Sequence, residues 1–244
     1  MVPLPDDVQP PGPPPEKPKA PRRDMATKLV KMTVFVDNAL QPEIQARIAA
    51  QGYGPAKIAQ GAALKNDGQQ KFDRNLVLEG DAERKTVVLM EKWKEVEKKF
   101  SLFVDAAYAT MRERRDLLDA LGLVPRAPAS QTFAYFANRA RSSYEVAIAT
   151  PEIQAFLAGR GYDLARLSAE RADVATLIGM NDVQEAAKGL AQASTHDLKA
   201  AMDAMWRWYE DGAMMARRAL RDRHDLLEML GILAREKKRK KKPV

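Results

Sequence analysis

Leu89, Trp93, Val96, Phe100, Phe103, Ala107 and Met111 follow one another at intervals of four, three, four, three, four and four residues. That rhythm draws one apolar stripe along a helix and leaves Lys94, Glu97 and Lys98 off it. Leu198, Met202, Met205, Tyr209, Gly212, Ala216 and Leu220 repeat the spacing. No stretch alternates with a period of two, so the pattern predicts helices throughout. The first half should hold a helix near 26–40, a short helix from Pro42, a third from Pro55, a fourth along the stripe and a closing helix at 115–121. The second half should follow with helices at 131–149, from Pro151, from Asp163, along its own stripe, and at 224–230.

Punctuation supports these bounds. Thr150 suits an N-cap and Pro151 a first helical residue, whose missing N–H would be unpaired there anyway. Gly52 and Gly161 suit the left-handed position just past a helix, with Tyr53 or Tyr162 folding back on it. Gly122 and Gly231 close the last helices in the same way. Gly80 and Gly189 read as the turn between the third and fourth helices. One unbroken helix from 55 to 113 would be roughly 90 Å long at 1.5 Å per residue, too long for a compact domain.

The halves match in a single register. Residues 42–58 read PEIQARIAAQGYGPAKI and residues 151–167 read PEIQAFLAGRGYDLARL, 109 positions later. Residues 111–123, MRERRDLLDALGL, and residues 220–232, LRDRHDLLEMLGI, lie at the same offset of 109 and share 7 of 13 residues. A tandem duplication accounts for both matches. The expected fold is all-α: two tandem antiparallel helical bundles at 25–124 and 131–234, joined by a linker at 125–130. A Pro-rich arm at 1–24 and a basic tail at 235–244 flank them. Pro42 to Ile58 with Leu117 to Leu123, and Pro151 to Leu167 with Leu226 to Ile232, resemble a group of uncharacterised bacterial proteins with two tandem all-helical repeats. The resemblance implies an architecture and no activity.

Nine of the first 21 residues are Pro, which predicts a disordered, extended arm. The net charge of +7 is concentrated in the last ten residues, REKKRKKKPV, which carry seven basic groups and one acidic. Lys237, Lys238, Arg239, Lys240, Lys241 and Lys242 are therefore candidates for binding nucleic acid or another polyanion, without sequence preference. No Cys occurs, which removes disulfides, thiolate metal sites and Cys nucleophiles and fits a reducing, cytoplasmic setting. No apolar run reaches the length of a membrane span, and no signal-peptide apolar region is present.

Catalytic signals are missing from the pattern. The two His, His196 and His224, align with Val87 and Arg115, and neither Glu-x-x-His nor His-Glu-x-x-His occurs. Gly52-Tyr53-Gly54-Pro55 lacks the Gly-Lys-Ser/Thr ending of a phosphate loop. No catalytic residue, metal or cofactor is expected. Trp206 and Trp208 align with Glu97 and Lys99, outward positions, so with Met214 and Met215 they form a candidate partner contact. The expected function is that of a non-enzymatic scaffold or adaptor, acting on a protein partner or by self-association. The alternative is polyanion association through the tail.

Overall fold

The computed structural model describes residues 20–124 and 132–232. The arm before Ala20, the segment 125–131 and the basic tail with Lys237–Lys242 lie outside the described residues. All regular structure within them is helical: α1 (Ala20–Asn38), α2 (Pro42–Ala49), α3 (Pro55–Thr110), α4 (Arg115–Ala120), α5 (Phe133–Ala149), α6 (Pro151–Ala158), α7 (Leu164–Ala219) and α8 (His224–Met229). The pairs α2/α6, α3/α7 and α4/α8 have equal lengths and begin 109 residues apart. α1 begins at Ala20, earlier than the expected 26. Pro21 falls in its first turn, where a missing N–H breaks no helical bond.

The expected turn at Gly80 and Gly189 does not exist. α3 and α7 are each unbroken over 56 residues. A glycine inside a helix costs only about 1 kcal/mol relative to alanine. Against that, the inward stripe of α3 continues without a phase break through Asn75, Glu79, Ala82, Thr86 and Leu89, all buried or half-buried.

The compact units consequently do not coincide with residues 25–124 and 131–234. Unit I takes residues 79–190, and unit II takes 20–78 together with 191–232. Each long helix gives one half to each unit. The linker 125–130, expected to separate two domains, falls within the span of unit I.

In unit I the second half of α3 runs antiparallel to the first half of α7, with Thr86 facing Gln184 and Lys99 facing Asp173. α5 lies on this pair through Phe136 and Tyr144, and Ile153 and Leu157 of α6 complete the core. In unit II the first half of α3 runs antiparallel to the last half of α7, with Gly61 beside Trp208 and Asn75 facing Thr195. α1 covers that pair through Leu29, Met32 and Phe35, and Ile44 and Ile48 of α2 extend the core.

Four of the expected glycines do end helices. Gly52, Gly122, Gly161 and Gly231 have φ of 86°, 67°, 78° and 70°. The residue after each donates its N–H back five positions, Tyr53 to Ile48, Leu123 to Leu118, Tyr162 to Leu157 and Ile232 to Leu227. Thr150 stands at the N-cap of α6 but its side chain caps nothing, whereas Thr132 accepts from Tyr135 N at 3.3 Å and caps α5.

Candidate functional site

Polar residues on the facing sides of α3 and α7 make matched pairs. Asn75 Nδ2 donates to Thr195 Oγ1 at 3.0 Å in unit II, and Gln184 Nε2 donates to Thr86 Oγ1 at 2.8 Å in unit I. Each threonine passes its own proton to a carbonyl one turn back, Ala191 or Ala82. Asn75 and Gln184, like Thr86 and Thr195, are 109 residues apart. A paired amide in an otherwise apolar seam fixes helix register. These groups hold the two long helices in register.

A second buried polar cluster belongs to unit I alone. Tyr144 OH donates to Glu170 Oε2 at 2.7 Å, and Arg166 Nε donates to Oε1 at 2.9 Å. The Arg166 guanidinium also lies 3.8 Å from the centre of the Tyr162 ring. Both carboxylate oxygens are occupied, so the cluster clasps α5 to α7, while the Tyr162 hydroxyl beside it is buried without a hydrogen-bond partner. Burial, and then the carboxylate, push the Tyr144 hydroxyl well above its ordinary pKa.

Unit I also carries a groove of about 580 Å³ between α3 and α7. Thr176, Gly179, Met180 and Val183 form its α7 wall, and Asp81, Arg84, Lys85 and Val88 its α3 wall. Val88 and Val183 are 51% and 53% exposed. Lys85 binds Asp81 at 2.8 Å and holds its carboxyl below the usual range. The α7 wall continues as a charge-free face: Ala172, Thr176, Gly179, Val183, Ala186 and Leu190, at intervals of four, three, four, three and four, are all exposed. Their counterparts on α3, 109 positions earlier, are Ala63, Asp67, Gln70, Arg74, Val77 and Asp81. The α3 counterpart carries three charges, Asp67, Arg74 and Asp81, beside the exposed Val77, whereas the α7 face carries none, so the absence of charge is not a requirement of the fold.

No family model, curated protein or solved structure matches this chain.

The four residues expected as a partner contact are dispersed. Trp208 is buried, its ring edge-on to Phe35 and Tyr53, and fills the space left by the absent side chain of Gly61. It cannot meet a partner: its counterpart Lys99 already faces the opposite long helix through Asp173, and where that helix carries glycine the indole packs into the core. Trp206 is half-buried, stacked on Tyr209 with ring centres 4.7 Å apart, and donates Nε1 to Glu210 at 2.8 Å. Lys28 and Lys31 of α1 cover it at 5.3 and 6.0 Å. Met214 is exposed, while Met215 is half-buried against the unit II core. His196 and His224 are exposed, and among the described residues no three His, Asp or Glu come close enough to hold a metal. No described helix is long and apolar enough to cross a membrane. The α7 face escaped notice in the sequence because exposed alanines and glycines look like ordinary helix filler. Its signal was the loss of charge relative to residues 63–81.

Proposed function

We propose that this chain is a non-enzymatic cytoplasmic scaffold that acts by protein–protein contact, with the α7 face and its groove as the docking surface. The observation that carries the proposal is the contrast between Val183 and its counterpart Arg74: unit I exposes apolar surface where unit II shows that charge is tolerated. A helix laid into a shallow apolar groove is a common recognition mode, and Gly179 lets a partner's backbone come close. A photo-crosslinking residue placed at 183 in living cells should capture one reproducible partner, and one placed at 74 should not. Capture at neither position, or equally at both, overturns the proposal.

The charge concentrated in residues 235–244 supports a second reading, retention on nucleic acid or another polyanion. Deleting those residues should then abolish DNA retention at low salt. Unchanged retention rejects it.

A further inference from the structure

Unit II carries a polar pocket of about 500 Å³ that unit I does not share. Lys31 of α1 lines it, with Trp206, Tyr209, Glu210 and Arg217 of α7 and Gly231 and Ile232 just beyond α8. The corresponding place in unit I is sealed by side chains. Tyr108 OH donates to Leu123 O at 2.6 Å, and Arg139 Nε donates to Gly122 O at 3.1 Å. At the 109-residue offset unit II has Arg217 for Tyr108 and Val30 for Arg139, and Lys31 stands where unit I buries Ala140. Asn38 reaches the Met229 carbonyl at 2.8 Å, but no described side chain donates to the carbonyls of Gly231 or Ile232. The shared frame allows this space to be filled, and unit II leaves it open.

The charges around the opening are available. Lys28 is paired with Asp24 at 2.9 Å, whereas neither Lys31 nor Arg217 has a hydrogen-bond or ion-pair partner among the described residues. Lys31 lies 6.0 Å from the centre of the Trp206 ring, which stacks on Tyr209. Burial raises the pKa of the Tyr209 hydroxyl and Arg217 works against that rise, so the guanidinium lies close to the phenol. Glu210 is held through Oε1 by the Trp206 N–H at 2.8 Å. Two cations against this one carboxylate leave the lining with a single excess positive charge. One carboxylate neutralises it, while a phosphate dianion would exceed it.

We propose that this pocket binds a small organic carboxylate, held by Arg217 and Lys31 with its apolar body against Tyr209 and Ile232. A guanidinium offers a carboxylate two parallel N–H groups, and bonds of this kind gain strength beside a buried ring. A hydroxyl or amino group on the ligand finds an acceptor in the Gly231 carbonyl, which takes the place of the one that Arg139 occupies in unit I.

The test is an NMR titration of the full chain with para-hydroxybenzoate. The indole N–H of Trp206 should shift saturably, with a dissociation constant of about 1 mM or tighter. The neutral para-hydroxybenzyl alcohol should leave that resonance in place, and phenyl phosphate should bind more weakly than the carboxylate. Arg217→Gln should weaken binding at least about tenfold. Arg218→Gln removes an exposed arginine outside the lining and should change nothing. A Val30→Arg/Arg217→Tyr double variant, which restores the residues that seal unit I, should abolish the shift while its circular dichroism stays unchanged. Absence of a saturable shift, equal binding of the alcohol, or an equal loss in Arg218→Gln overturns the site. Tighter binding of phenyl phosphate overturns the choice of a carboxylate.

Discussion

Units I and II solve one packing problem with different chemistry. Where unit I has Tyr144, Glu170, Lys99 and Phe103, unit II has Phe35, Gly61, Trp208 and Gly212 at the 109-residue offset. In unit I the Phe103 ring packs on Tyr144 and Tyr162, with centres 4.7 and 5.7 Å away. In unit II the ring comes from one turn earlier on the equivalent helix: Trp208 packs on Phe35 and Tyr53, with centres 5.7 and 5.6 Å away. The indole reaches in because Gly61 has no side chain. Unit I places Glu170 at that position, tied to Tyr144 and Arg166. Lys99, the counterpart of Trp208, points to Asp173 instead, at 2.7 Å. Burial alone would raise the Asp173 carboxyl, but Lys92 and Lys99 outweigh it and hold the group below its usual range. The contrast teaches that a shared backbone frame sets where volume is needed, not which residue supplies it.

The comparison breaks most readily at Trp208. Trp208→Ala should cost about 3–5 kcal/mol in urea unfolding, since the indole is the centre of the unit II aromatic cluster. Gly61→Ala tests the same fit from the other side. An added Cβ would lie 2.3 Å from the indole, so overpacking should cost about 1–3 kcal/mol. In a Trp208→Leu background the same change should turn favourable by up to about 1 kcal/mol, because only helix propensity remains. Additive effects would show that glycine and indole are not coupled.

Unit I should respond through its buried clasp. Glu170→Ala strands the Tyr144 hydroxyl in the core and should cost about 1–3 kcal/mol. The raised Tyr144 pKa also makes a pH prediction. The folded state keeps its proton while the unfolded chain ionises near 10.0, so stability is full below that pH and falls as pH rises above it. The urea midpoint should decline less steeply above that pH in Tyr144→Phe than in the wild type. Identical alkaline slopes would refute the assignment.

Where the units agree, their variants should agree. Asn75→Leu and Gln184→Leu each remove one seam amide while the threonine opposite keeps its bond to a carbonyl. Each should move stability by no more than about 1 kcal/mol, and by the same amount, in urea titrations. The smallest effect belongs to Gly80 and Gly189, where an added Cβ meets nothing. Gly80→Ala and Gly189→Ala should each stabilise by about 0.5–1 kcal/mol. A loss in either case would show that the glycine is needed for something other than the space at its Cβ position.

Much of the secondary structure was legible because its signals are local. The starts at Pro42, Pro55 and Pro151 and the ends at Gly52, Gly122, Gly161 and Gly231 depend on residues within one or two turns. The stripe from Leu89 to Met111 correctly named a buried face. Trp208 was misplaced because alignment with Lys99 cannot report a glycine on the opposite helix. Asn75 and Gln184 were passed over because a lone amide in a stripe declares itself only beside the threonine it binds. The α7 face stayed hidden for a related reason: exposure of small residues is a property of what is not packed on them.

The residues by themselves determined an all-helical chain, its helix ends and two long apolar stripes, since each follows from backbone geometry and a seven-residue rhythm. They did not decide what covers each stripe. α1 and α5 occupy corresponding places, and either has an apolar face to offer the stripe from Leu89 to Met111. Continuity through Gly80 and Gly189 settled it. A single glycine penalty is too small to break a seam in phase on both sides, so α3 carries that stripe out of α1's unit and into α5's. Which halves share a core is thus a consequence of two unbroken helices, a fact of tertiary structure that no window of the sequence contains.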